Sequence, residues 1–157
     1  MRPGHLRHGI LWQGILTGAL AAAATAGTLL GFGLQQGMPA RPFNAVASLL
    51  LGDRARGIWG FHPVVTVVGL VAQGALAFVW ALLFARLAGG MRGRRLAGLA
   101  IIVATVALAV DVFLASRVAT HGAFDMLAPA QVIAVHLVLG VALAVGMRLA
   151  TSYFWSD

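Results

Sequence analysis

Cysteine, glutamate and lysine are all absent from this chain of 157 residues. Without cysteine there is no disulfide, no thiolate metal ligand and no thiol redox chemistry, so any metal would need histidine, aspartate or backbone oxygen. Acidic residues are scarce: Lys+Arg total 11 (all arginine) against 4 aspartates, for a formal net charge of +7. In a soluble protein that balance would suggest nucleic acid. Here the arginines bracket apolar runs instead of lining one face, so no nucleic-acid partner is expected. Charged residues make up only 10% of the chain and hydrophobic ones 61%, whereas roughly a quarter of a soluble domain is charged. The composition is that of an integral membrane protein with the lipid bilayer as its main surroundings, and the length allows a single transmembrane domain over residues 1–157.

Several motifs are also missing. There is no phosphate-cradling glycine loop, no H-E-x-x-H and no serine elbow, which argues against classical soluble-enzyme chemistry. Small multidrug transporters centre on a glutamate, quinone-linked disulfide-forming proteins need cysteines, and four-helix diheme cytochromes need several core histidines. The chain lacks each of these.

Four apolar runs, at about residues 10–34, 63–84, 96–116 and 129–148, reach the ~20 residues needed to cross a bilayer. The first, with its basic start and "AAAATAG", also has the look of a signal peptide, but its apolar length favours a retained span. Pro63 and Pro129 suit first helical turns, where the missing N–H costs nothing.

Arg2, Arg7, Arg86, Arg92, Arg94, Arg95 and Arg148 fall on one side of these spans, and Arg41, Arg54, Arg56 and Arg117 on the other. The positive-inside rule then puts both termini in the cytoplasm, with the Arg86, Arg92, Arg94 and Arg95 cluster as the topology determinant. A bacterial inner membrane is the expected location, since the general plan resembles small proteins of that membrane. Trp12, Trp59, Trp80 and Trp155 lie near span ends, at headgroup depth.

The expected fold is an all-α, antiparallel four-helix transmembrane bundle. A short amphipathic interfacial helix is expected at about residues 42–51, in the outer loop between the first two spans. Pro42 can open it, Phe43, Val46, Ala47 and Leu50 recur at helical spacing, and Gly52 and Asp53 stop it. It serves as anchor, lid or subunit contact; "GDRARG" after it reads as a solvated turn.

Asp111 interrupts the apolar "VALAVDVFLAS", and a carboxylate at membrane depth calls for a partner. It lies about 7.5 Å below the outer end of its span, and His136 about 9 Å below the start of the next. Those matched depths on adjacent spans predict a buried interhelical polar pair, Asp111 with His136. As a staple the pair is worth little, ~0.6 kcal/mol in typical membrane contacts; as a functional site it is a proton relay or a quinone-headgroup contact. Haem ligation by His136 fits poorly, because His62 and His121 lie at other depths. No cofactor is predicted, and a haem or quinone contact is the minor alternative. Gln73, midway along the second span, is expected to bond across helices.

Gly14 and Gly18, and likewise Gly27 and Gly31, are spaced four apart on the first span and should let other helices approach closely. With minimal loops and no complete active-site constellation, they suggest a non-catalytic accessory or structural subunit of a larger membrane complex, respiratory or photosynthetic. Its partners would be other membrane subunits, met through the first span or the interfacial helix. The alternative is a small transporter, channel or quinone- and proton-handling protein using Asp111 and His136. It requires a water-accessible or ligand-sized cavity at the depth of that pair.

Overall fold

The apolar runs become helices α1 (Pro3–Gln35), α4 (Pro63–Ala88), α5 (Gly93–Val118) and α6 (Pro129–Phe154), with α2 (Arg41–Leu51) and α3 (Asp53–Arg56) between the first two. They are seen in a computed structural model that describes residues 3–118 and 127–154. The expectations for Arg2, His121 and Trp155 lie outside the described residues, as do those for the side chains of Arg7 and Arg117. α1, α4, α5 and α6 are each long and apolar enough to cross a membrane, and no strand occurs among the described residues. The protein is therefore a helical integral membrane protein.

The long helices run several residues past the expected spans, through Arg86 and Ala88 in α4 and back to Gly93 in α5. A helix has no reason to stop at the hydrocarbon edge, because its backbone is as well satisfied among headgroups as in lipid. It stops at a local breaker: Gly89, in the left-handed region with φ 40°, ends α4. At the start of α4 the His62 Nδ1 accepts the Val65 N–H (3.4 Å), and at the start of α6 Gln131 reaches back to accept the Ala128 N–H (3.0 Å).

α1 carries its buried positions at helical spacing: Gly14, Thr17, Gly18, Ala21, Thr25 and Leu29. This face packs on α4 and α6, and α5 packs mainly on α6 and only lightly on α4. The core they enclose is built from small residues, among them Ala77, Ala81, Ala85, Ala88, Ala100 and Ala107, with Phe84 and Leu143 as its largest fully buried apolar side chains. Outward-facing leucine, valine and isoleucine stay exposed for lipid. A β-carbon at Gly14 or Gly18 would run into Leu82 or Phe78 of α4, so these two glycines do seat a neighbouring helix. At Gly27 and Gly31 a β-carbon meets nothing among the described residues, because the buried face of α1 passes through Thr25 and Leu29 instead.

After α1 the chain turns sharply. The Met38 N–H donates to the Gly33 carbonyl (2.8 Å), and a β-carbon at Gly33 would press on Met38 and Pro39. That turn sends α2 back onto the N-terminal half of α4, and at Gly69 the two backbones touch: a β-carbon there would overlap the Phe43 carbonyl oxygen. The "GDRARG" segment is not a solvated turn throughout. It forms α3, whose Ala55 is buried beside Ala47 and Val65.

Candidate functional site

α5 brings Asp111 and α6 brings His136 to one place, with His136 Nε2 3.1 Å from Asp111 Oδ2. The other ring nitrogen, Nδ1, is 2.9 Å from the Val132 carbonyl oxygen one turn earlier. A carbonyl oxygen only accepts, so Nδ1 carries a hydrogen. An ionised carboxylate also only accepts, so the Nε2–Oδ2 contact needs one further proton, on the ring or on the acid. The pair thus holds one shared proton and is neutral overall in either position: acid with imidazole, or carboxylate with imidazolium. A second proton would leave an uncompensated charge at membrane depth.

Gln73 of α4 and Thr25 of α1 make a second interhelical link. The Gln73 amide donates to the Thr25 hydroxyl (3.3 Å), which itself donates to the Ala21 carbonyl (2.8 Å). Thr17, two turns earlier on the same face, is fully buried with its hydroxyl unpartnered among the described residues.

The two polar links share one space. A cavity of about 120 Å³ lies between the helices, lined by Asp111, His136, Gln73 and Thr25 together with apolar groups such as Trp80 and Val46. One ordered water needs only ~10–15 Å³ of such volume, so the space holds several waters or a small ligand group. Residues of α2 form one wall of it, through Pro42, Ala45, Val46 and Leu49. His136 also borders a groove of about 390 Å³ on the far side of the α5–α6 seam, lined otherwise by apolar residues and Thr105, whose hydroxyl donates to the Ile101 carbonyl.

The position of α2 depends on Asn44, which the sequence reading did not single out. Asn44 is fully buried; its amide donates to the Ile58 (2.8 Å) and Gly60 (2.9 Å) carbonyls, and its carbonyl accepts from the Thr66 hydroxyl (2.8 Å). These bonds set the rotation of α2. Phe43, Asn44, Ala47 and Ser48 face inward, Val46 is half-buried, and Leu50, expected on the apolar face, is 69% exposed. Beside them the Arg41 guanidinium stacks over Trp59, 4.2 Å from the ring centroid. Trp59 thus has a specific partner as well as a place near a span end.

Arg86, Arg92, Arg94 and Arg95 are exposed around the α4–α5 turn, and among the described residues none is ion-paired. Also among the described residues, no three of histidine, cysteine, aspartate and glutamate gather as a metal site. No protein family, curated protein or solved structure matches the chain.

Proposed function

We propose that this protein handles a hydrogen-bonding ligand or a proton inside the membrane, at the cavity bounded by Asp111, His136, Gln73 and Thr25. The observation that carries this reading is the coincidence of a one-proton acid–imidazole pair with a cavity large enough for a ligand group. A pair serving only as a staple would need no such space beside it.

In this reading α1, α4, α5 and α6 form one antiparallel bundle over the single domain. Partner positions support it: Gly14 with Leu82, Gly18 with Phe78 and Thr25 with Gln73 run in opposite directions along α1 and α4. The arginine distribution supports cytoplasmic termini in a bacterial inner membrane, with α2 at the outer interface closing the cavity.

A second reading, an accessory subunit of a larger membrane complex, is favoured by one feature. The unfilled face of α1 at Gly27 and Gly31 has room for a further helix.

The native mass and composition of the assembly separate the two. Extraction in mild detergent at natural expression level should yield a monomer or small homo-oligomer. By native mass spectrometry it should retain a small non-covalent molecule that Asp111→Leu loses. A large stoichiometric complex, with Asp111→Leu changing neither bound mass nor assembly, would overturn the ligand-handling reading.

A further inference from the structure

Among the described residues the cavity's polar lining has no net charge. Asp111 and His136 are the ionisable groups of that described lining, and with their shared proton they sum to zero; Gln73 and Thr25 are neutral. A charged ligand placed among them would find no counter-charge in a low-dielectric setting, at a cost of several kcal/mol or more. What the lining does offer is hydrogen bonding of both senses. The Gln73 amide has a second N–H to donate and a carbonyl oxygen to accept beyond its bond to Thr25, and Asp111 offers its other oxygen as an acceptor in either protonation state.

The rest of the wall is apolar, with Leu76, Trp80 and Leu139 beside the polar groups. This suits a ring or chain attached to the polar head.

The exposure of the pair points to the route. The Asp111 side chain keeps 28% of its surface accessible and that of His136 only 7%, so the open edge is on the α5 side. Among the described side chains of α5, the buried positions run from Leu96 to Ala107, and Val110, Val112 and Phe113 are exposed. Past Ala107, α5 keeps its contact with α6 through Asp111 and His136 while its neighbours along the helix turn outward, which gives the cavity a lipid-facing edge at α5.

We infer that the ligand is a neutral, lipid-borne molecule with an apolar chain and a headgroup bearing carbonyl or hydroxyl oxygen, and that it reaches the cavity sideways from the bilayer past the Asp111 edge of α5. This rests on the reading that the cavity binds a ligand. The chemistry required is a neutral oxygen headgroup on a chain, which a quinone, a long-chain alcohol and a neutral glyceride share.

Trp80 in the cavity wall provides the test. The full-length protein in nanodiscs is titrated with n-decyl-benzoquinone, a neutral quencher of tryptophan fluorescence. Decyltrimethylammonium and decyl sulfate, with the same chain and opposite charges, serve as competitors. Saturable quenching is expected. It should disappear in Trp80→Phe and shift by about tenfold in Gln73→Leu, as for one lost hydrogen bond. Neither charged competitor should relieve it, whereas n-decanol should. If Gln73→Leu does not fold, Thr25→Val reads the same wall.

Relief by either charged competitor at the midpoint found for decanol would overturn the neutral-headgroup inference while leaving a ligand-binding cavity in place. Quenching that rises without saturation, and is unchanged in Trp80→Phe, would overturn both the inference and the reading beneath it.

Discussion

The Phe43 carbonyl oxygen fills the space that a side chain at Gly69 would need, so α2 and α4 cross backbone against backbone. The obstruction is rigid main chain, and no rotamer change can relieve it. Gly69→Ala should therefore displace α2 and destabilise the protein by ~1–3 kcal/mol, as overpacking does elsewhere. Thermal unfolding in detergent reads the cost. Gly27→Ala is the control, since a methyl there meets nothing and should leave stability within ~0.5 kcal/mol of the parent.

Asn44 donates to two carbonyls and accepts from one hydroxyl. Asn44→Asp keeps the shape but aims an acceptor at the Ile58 and Gly60 carbonyls. It should cost more than Asn44→Ala, itself worth ~1–3 kcal/mol for the stranded partners. Arg54 is exposed in the parent but lies in helix α3; loosening the 52–60 segment should free its main chain for a protease, so the rate of tryptic cleavage there should rise in the order parent, Ala, Asp.

Asp111→Asn should be tolerated. With Nδ1 held by the Val132 carbonyl, His136 can keep Nε2 as an acceptor, and the asparagine amide can donate to it. Asp111→Leu leaves that nitrogen unpartnered and should cost more, though within the ~0.6–1.7 kcal/mol typical of polar contacts between membrane helices. Infrared difference spectra between the parent and Asp111→Asn show where the shared proton resides. A carboxylic acid band lost in the variant places it on Asp111; carboxylate bands, with a doubly protonated ring by nitrogen NMR, place it on His136.

Replacing Arg86, Arg92, Arg94 and Arg95 together by alanine removes the charge excess on the side proposed to be cytoplasmic. Three arginines then remain there against four on the other side. The expected outcome is mixed orientation, read with topology reporters fused after residue 157. A uniform parental orientation would count against the proposed topology.

Most of the membrane architecture is legible in the sequence, because lipid leaves few alternatives to a long apolar helix. Helix starts at Pro63 and Pro129 are legible for a similarly local reason: proline fits the first turn and little else in a helix. The meeting of Asp111 and His136 follows from depth arithmetic on adjacent spans. Helical periodicity does not reveal the rotation of α2. Apolar spacing favours Leu50 on the inner face, yet Asn44 turns inward, because its partners lie well ahead in the chain, at Ile58, Gly60 and Thr66. Nor does it reveal which glycines carry contacts. Gly33 and Gly69 belong to no four-residue repeat with the first-span pairs, and their need for glycine comes from main chain arriving from elsewhere.

The alanine seam joining α4 and α5 to their neighbours has a thermal consequence. Ala81, Ala85, Ala88 and Ala107 are fully buried and carry almost no side chain to shield. Parting the helices within a bilayer would exchange methyl–methyl contact for methyl–lipid contact and expose little apolar surface to water. The heat-capacity increment that curves the stability of soluble proteins scales with that exposure. Helix separation here should have a small increment, and the strength of the assembly should change nearly linearly with temperature, without weakening towards the cold.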